Sequence, residues 1–236
     1  MEIKSQFRDQ LLKPDDFYEI LRRLQIITSE MADKSADLGS WYLQGNSVDE
    51  AFLYSAFEND AASSALVAAL KQKYRNDAAE THVSLWDGNE DENKGASIAC
   101  YIGDKLLPDS LGITLYDDKL LGTAASVKDV IIAIVDVFRP YYVSVFPTGY
   151  AEHKVFDDKP GVGWMLYLPQ VITAQQVPEA QALIPVYAAG KKQTGTIIVS
   201  VVDEIFSLDD PRHIELANHI EMRLVDQDLL PRYADL

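Results

Sequence analysis

Between residues 14 and 31 the apolar side chains fall at Phe17, Ile20, Leu21, Leu24 and Ile27. That spacing predicts an amphipathic helix with one buried face, Pro14 in its first turn, and Arg22 and Arg23 on the solvent side. Residues 40–45 read as a short extended segment closed by Gly45. Ser47-Val-Asp-Glu50 then has the S-x-x-E form of a capping box, in which each end's side chain satisfies an orphan amide. A helix begun there presents Ala51, Tyr54 and Phe57. The Ala- and Leu-rich stretch 63–74 predicts a further helix, with Lys and Arg at its end as the helix dipole prefers.

The period changes to two in the middle of the chain. Residues 82–86 and 97–102 alternate apolar with small or polar side chains, a polar turn lies between them, and 112–116 is a third strand candidate. Helical spacing returns at 126–138 through Val127, Val130, Ile131, Ile134 and Phe138. Strands are expected at 141–146, 163–168 and 195–202. Asp209-Asp210-Pro211 supplies an acidic cap and a first-turn proline for a last helix, with Leu216, Ile220 and Leu224 inside. No repeat, long linker or low-complexity block interrupts this order. The expectation is an α+β fold, a mixed or antiparallel β-sheet with helices packed on it. It forms a single domain over residues 1–236, with a division into two sub-lobes near residue 80 left open.

With 47% apolar and 25% charged residues the composition is that of a globular protein, which excludes disordered, collagen-like and disulfide-stapled chains. Charge sharpens the picture more. The 37 acids against 21 bases leave a net charge of −16, which disfavours nucleic acid as a direct ligand and favours a basic partner. The excess is uneven: residues 87–118 and 203–236 carry −6 each, whereas 119–202 carries +1. The densest cluster is Asp87, Glu90, Asp91 and Glu92, beside Trp86, and Asp117-Asp118 is a second pair. Such turns are either solvated hairpin tips or an acidic face that steers a basic surface in. A calcium loop is disfavoured, because the run lacks that loop's alternating ligands, sixth-position glycine and twelfth-position glutamate.

Catalytic signatures are missing. There is no G-x-x-x-x-G-K-[ST], G-x-G-x-x-G, H-E-x-x-H or G-x-S-x-G. His82, His153, His213 and His219 offer no metal spacing, and the lone Cys100 falls in an apolar strand pattern, as a small core residue would. No catalytic residue, metal or cofactor is therefore assigned. Trp41, Trp86 and Trp164 read mainly as core, and one ring of Tyr141-Tyr142 is expected to face out. The N-terminal residues have charges throughout and no apolar core, so no secretory signal is expected, and no run is apolar enough to span a bilayer. With one thiol in a reducing environment, the expected location is the cytoplasm.

Trp41-Tyr-Leu-Gln-Gly45 with Ser47-Val-Asp-Glu-Ala51 resembles the immunity protein 52 family, as do Gly163-Trp-Met-Leu-Tyr-Leu-Pro169 and Thr173-Ala-Gln-Gln-Val-Pro178. The likeness is strongest at Gly195-Thr-Ile-Ile-Val-Ser200 and at Asp226-Gln-Asp-Leu-Leu-Pro-Arg-Tyr-Ala-Asp235. These are framework segments and carry no catalytic motif. The resemblance implies a non-enzymatic inhibitor encoded beside a toxin, similar to the cognate inhibitors of type VI secretion effectors. Those toxins are often restriction-endonuclease-like DNases, whose basic DNA-binding surface an acidic inhibitor complements. The acidic turns, Asp87, Glu90, Asp91, Glu92, Asp117 and Asp118, are then expected to form part of the partner contact. Two other classes stay open: an adaptor or chaperone that loads an effector, and a small hydrolase using scattered carboxylates. Rescue of cells from the isolated toxin domain separates inhibitor from adaptor, and turnover by the purified protein reveals an enzyme.

Overall fold

The computed structural model describes residues 1–91, 93–103, 107–188 and 192–236. In chain order the strands and helices are β1 (Glu2–Phe7), α1 (Phe17–Lys34), β2 (Tyr42–Leu43), α2 (Val48–Ala51), β3 (Phe57–Glu58), β4 (Ala61–Ala62), α3 (Ser64–Lys73), β5 (Thr81–Trp86), β6 (Ala96–Ile102) and β7 (Asp109–Leu115). They continue with α4 (Ala124–Phe138), β8 (Tyr142–Phe146), β9 (Met165–Leu168), β10 (Ala182–Tyr187), β11 (Gln193–Val199) and α5 (Pro211–Asp226). Among the described residues, nine strands form one sheet in the order β10-β11-β9-β8-β1-β7-β6-β5-β2, every neighbouring pair antiparallel. The α+β expectation is met, with an antiparallel sheet.

The central strand is β1, which the charged N-terminal sequence did not announce as a strand. It pairs with β7 on one side and β8 on the other. Its alternation is genuine: Ile3, Ser5 and Phe7 are buried, while Glu2, Lys4 and Gln6 face the other way. The buried side packs on the helical layer, Phe7 meeting Phe138 of α4 at 4.5 Å between ring centroids. Because β1 ties β7 to β8, segments from both sides of residue 80 share this sheet. β10 escaped notice because Pro185 interrupts it. Proline is tolerated there because β10 is an edge strand.

Helix α1 buries Phe17, Ile20, Leu21, Leu24 and Ile27 as the spacing requires, adding Thr28 and Met31. Two details differ from expectation. Asp16 is the cap, accepting from the Glu19 amide, while Pro14 precedes the helix and its carbonyl accepts from the Thr81 hydroxyl. Arg23 is not on the solvent side. It pairs with Asp9 at 2.8 Å and Glu19 at 2.9 Å and lies over the Phe138 ring. Arg22, followed by Arg23, holds the Glu19 carboxyl down to about 2.

The helix at Ser47 also departs from expectation. Ser47 does accept from the Glu50 amide, but the helix ends at Ala51. Tyr54 lies beyond it, and Phe57 begins β3 in a small hairpin whose turn holds Asn59 and Asp60 at positive φ. In α5, Leu216 is only half-buried, and His213, Ala217, Ile220, Glu221 and Leu224 form the buried face. The Glu221 carboxylate accepts from the amides of Val155 and Phe156, anchoring the 150–163 connection, and its burial pushes its pKa up. Neither ring of Tyr141-Tyr142 is exposed: Tyr142 is buried with its ring against Tyr233 at 6.0 Å, and Tyr141 is half-buried. Trp41 and Trp164 are core, whereas Trp86 is half-buried.

Cys100 is fully buried in β6, and desolvation pushes its thiol up to about 12. At pH 8 the group stays a thiol, whereas the thiolate is the reactive species. Thiol reagents are therefore expected to leave the native protein unlabelled over hours and to modify it within minutes in denaturant. Rapid native labelling at pH 8 would contradict this packing.

Candidate functional site

The β5–β6 hairpin presents the acidic turn, and its side chains divide between internal bonding and solvent. Asp87 is only 6% exposed, and its carboxylate accepts from the amides of Ala96 at 2.8 Å and Asn89 at 3.1 Å. Burial raises its pKa against the pull of those bonds. A Cβ at Gly95, where φ is +80°, would lie 2.6 Å from both Asp87 oxygens. This carboxylate therefore staples the turn. Asp91 is exposed, accepts from the Asn93 amide and pairs with Lys94 at 3.3 Å; the Asn93 bond, then Lys94, lowers its pKa. Glu90 is exposed, and Glu92 lies outside the described residues.

The second acidic pair also does internal work. Asp117 caps a 3-10 turn by accepting from the Lys119 amide at 2.9 Å, and Asp118 binds the ammonium group of Met1. Thus Glu90 stands exposed and Asp91 is exposed but also bonds the Asn93 amide and Lys94, while Asp87, Asp117 and Asp118 hold backbone in place.

What surrounds Glu90 and Asp91 was not legible as a site. Pairing of Tyr42 with Trp86 brings residues 44–51 beside the acidic turn, leaving a groove of about 450 Å³. Its lining includes Asn46, Val48, Trp86, Glu90, Asp91 and Tyr116. On its shoulder the short α2 and its exit expose Val48 (43%), Phe52 (42%) and Leu53 (70%), and Tyr116 across the groove is 52% exposed. The Phe52 ring is held in place by Tyr42, edge-on at 4.9 Å, and by Trp86 at 5.5 Å. Asp49 and Glu50 add exposed acids beside it. Aromatic and aliphatic anchors ringed by charge are the usual make-up of an interface hot spot. One signal was available in the sequence: Phe52 and Leu53 are adjacent, and neighbouring positions on a helix point in different directions.

A second cluster lies at the start of α5, where Glu204, Asp210 and His213 bring ligand atoms within 4.8 Å of one another. Its bonding is that of a helix cap. His213 Nδ1 accepts from the Ser207 amide at 3.1 Å, so the neutral ring carries its proton on Nε2, which faces Glu204 at 3.3 Å. A metal at Nε2 would have to displace that proton. Asp210 is already engaged, accepting from the Arg212 amide and guanidinium.

Among solved structures, the fold resembles that of the Pseudomonas aeruginosa T6SS protein PA0821. The TM-score is 0.52 at 11% identity, and the match covers 94% of this chain and 75% of that one. No curated protein matches the chain. The architecture is thus that of a helix-backed antiparallel sheet shared with this protein, and it displays an acidic surface with apolar anchors. The family model for immunity protein 52 matches residues 15–232, and the chain belongs to that family. Among the described residues, no helix is long and apolar enough to cross a membrane.

Proposed function

We propose that this immunity-family chain works in the cytoplasm as a non-enzymatic inhibitor. It binds a cognate toxin delivered by a type VI secretion system, the best-fitting class being a restriction-endonuclease-like DNase. The observation that carries the reading is the groove between Glu90–Asp91 and the Val48–Phe52–Leu53 shoulder, a surface suited to a basic protein. Electrostatics support it further. A nuclease must present cations to DNA, and a chain of net charge −16 attracts that surface while repelling nucleic acid. Membership in the family supports toxin binding, and the shared fold with a T6SS protein supports the secretion context. The buried, unpaired Cys100 suits a reducing compartment.

Co-expression with the toxin domain encoded beside it provides the test, scoring survival and co-purification together. Both are expected. Loss of both overturns the reading, and co-purification without rescue would make the chain a loading adaptor.

A further inference from the structure

We infer that the bare face of β5, β6, β7 and β1 seats the partner: a cationic segment of the toxin lies across a trough of Ser84, Ala99 and Gly112 and reaches the acidic groove with its basic side chain. This rests on the toxin-binding reading and names where and how the contact is made.

Strand register builds the trough. Ser84 pairs with Ala99, Ala99 with Gly112, Gly112 with Lys4, and Lys4 with Ser144, so the five share one cross-strand row and one face. The opposite face carries Ile3, Phe7, Leu111 and Ile113 into the core against the helices. On the trough side, Ser84, Ala99 and Gly112 are half-buried and Lys4 is exposed. Antiparallel sheets commonly leave one face to water, but such faces favour β-branched and aromatic side chains over glycine and alanine. A glycine within a strand often marks close approach by a ligand or another backbone.

Gly112 has no internal reason to be glycine. It lies in ordinary extended strand, and a Cβ built on it would meet no atom within 4 Å. At the inner end of the row, Ser144 is 1% exposed and its hydroxyl has no hydrogen-bond partner, an unusual state for a buried polar group. Two positions beyond Ser84 on the same face, Trp86 lines the acidic groove, so trough and groove are continuous. The occupant follows from charge. Exposed Glu90, together with Asp91 and its Lys94 partner, leaves the groove lining net acidic and favours a cation, whereas a second copy would bring two chains of −16 together and nucleic acid would be repelled.

The test fills the trough without disturbing the core. Gly112→Tyr and Gly112→Ala in the full chain are compared with Ile26→Tyr, on the outer side of α1, for affinity to the purified toxin by calorimetry and for melting temperature. Gly112→Tyr should melt no earlier than wild type and bind about a hundredfold more weakly, and Gly112→Ala should lose less than about threefold. Ile26→Tyr should bind as wild type. Should Gly112→Tyr fold poorly, Ser84→Tyr blocks the same trough from the neighbouring row position. Folded plugged variants that bind normally overturn the trough and leave the toxin-binding reading standing. So does a plug that abolishes only self-association, which would make a second copy the occupant. A wild-type chain that fails to bind the toxin overturns both.

Discussion

Replacing Phe52 with alanine together with Leu53 with serine is expected to weaken toxin binding by about 3 kcal/mol, the scale of a central pair of interface anchors. The loss should appear mainly in dissociation and change little with salt, because both side chains contribute by burial. Phe52 qualifies as an anchor because Tyr42 and Trp86 already fix its ring, so little side-chain freedom is lost on docking. Leu53 is 70% exposed and its truncation should barely alter folding. Neutralising Glu90 and Asp91 to Gln and Asn should behave differently. Association should slow by about tenfold at low salt and the salt dependence should flatten, since rim charges act through steering. Surface plasmon resonance at two ionic strengths separates the two effects. Affinity within twofold of wild type for the Phe52/Leu53 variant would remove this shoulder from the interface.

Trp164→Ala is expected to destabilise the fold by about 4 kcal/mol, the middle of the range for a core aromatic. The side chain is 1% exposed, and its indole Nε1 donates to the Val201 carbonyl at 2.8 Å. Its own amide donates to Val145, and its carbonyl accepts from the Ser200 amide and hydroxyl, so this residue joins β8 to the segment after β11. Truncation leaves a cavity and an unmatched carbonyl in the same place. With typical stabilities of about 5–15 kcal/mol, much of the margin would go. Urea unfolding is the measurement, and a loss below about 1 kcal/mol would contradict the packing described. We propose that residues 1–236 form one domain; the same titration should then show a single transition.

Most elements were readable because their signals are short-range. Helices α1, α4 and α5 declare themselves by spacing, α3 by its Ala- and Leu-rich run with a basic end, the start of α5 by Asp210 and Pro211, and β5 and β6 by alternation. The misses have physical causes. β1 hides its period behind Glu2, Lys4 and Gln6, which face away from the core, and the buried Ser5 weakens the apolar side. β10 contains a proline that only an edge strand accepts. The short α2 has a helix-start signal but ends at Ala51, so Tyr54 and Phe57 pack against the core from outside the helix expected to carry them, and Phe52 and Leu53 surface at its exit.

The same division applies to the acidic residues. Sequence alone determined that the charge is concentrated at 87–118 and 203–236, that the middle of the chain is sheet, and that the framework resembles an immunity family. Only the tertiary structure decided that Asp87 is buried on backbone amides, that Asp117 and Asp118 bond within the chain, and that Glu90 and Asp91 stay exposed, Asp91 with Lys94 beside it. It also placed residues 44–53 beside a turn some forty positions away and aligned Ser84, Ala99 and Gly112 in one half-buried cross-strand row. Periodicity and caps are encoded within a few neighbouring residues, whereas burial of a carboxylate and adjacency of loops follow from which distant strands pair.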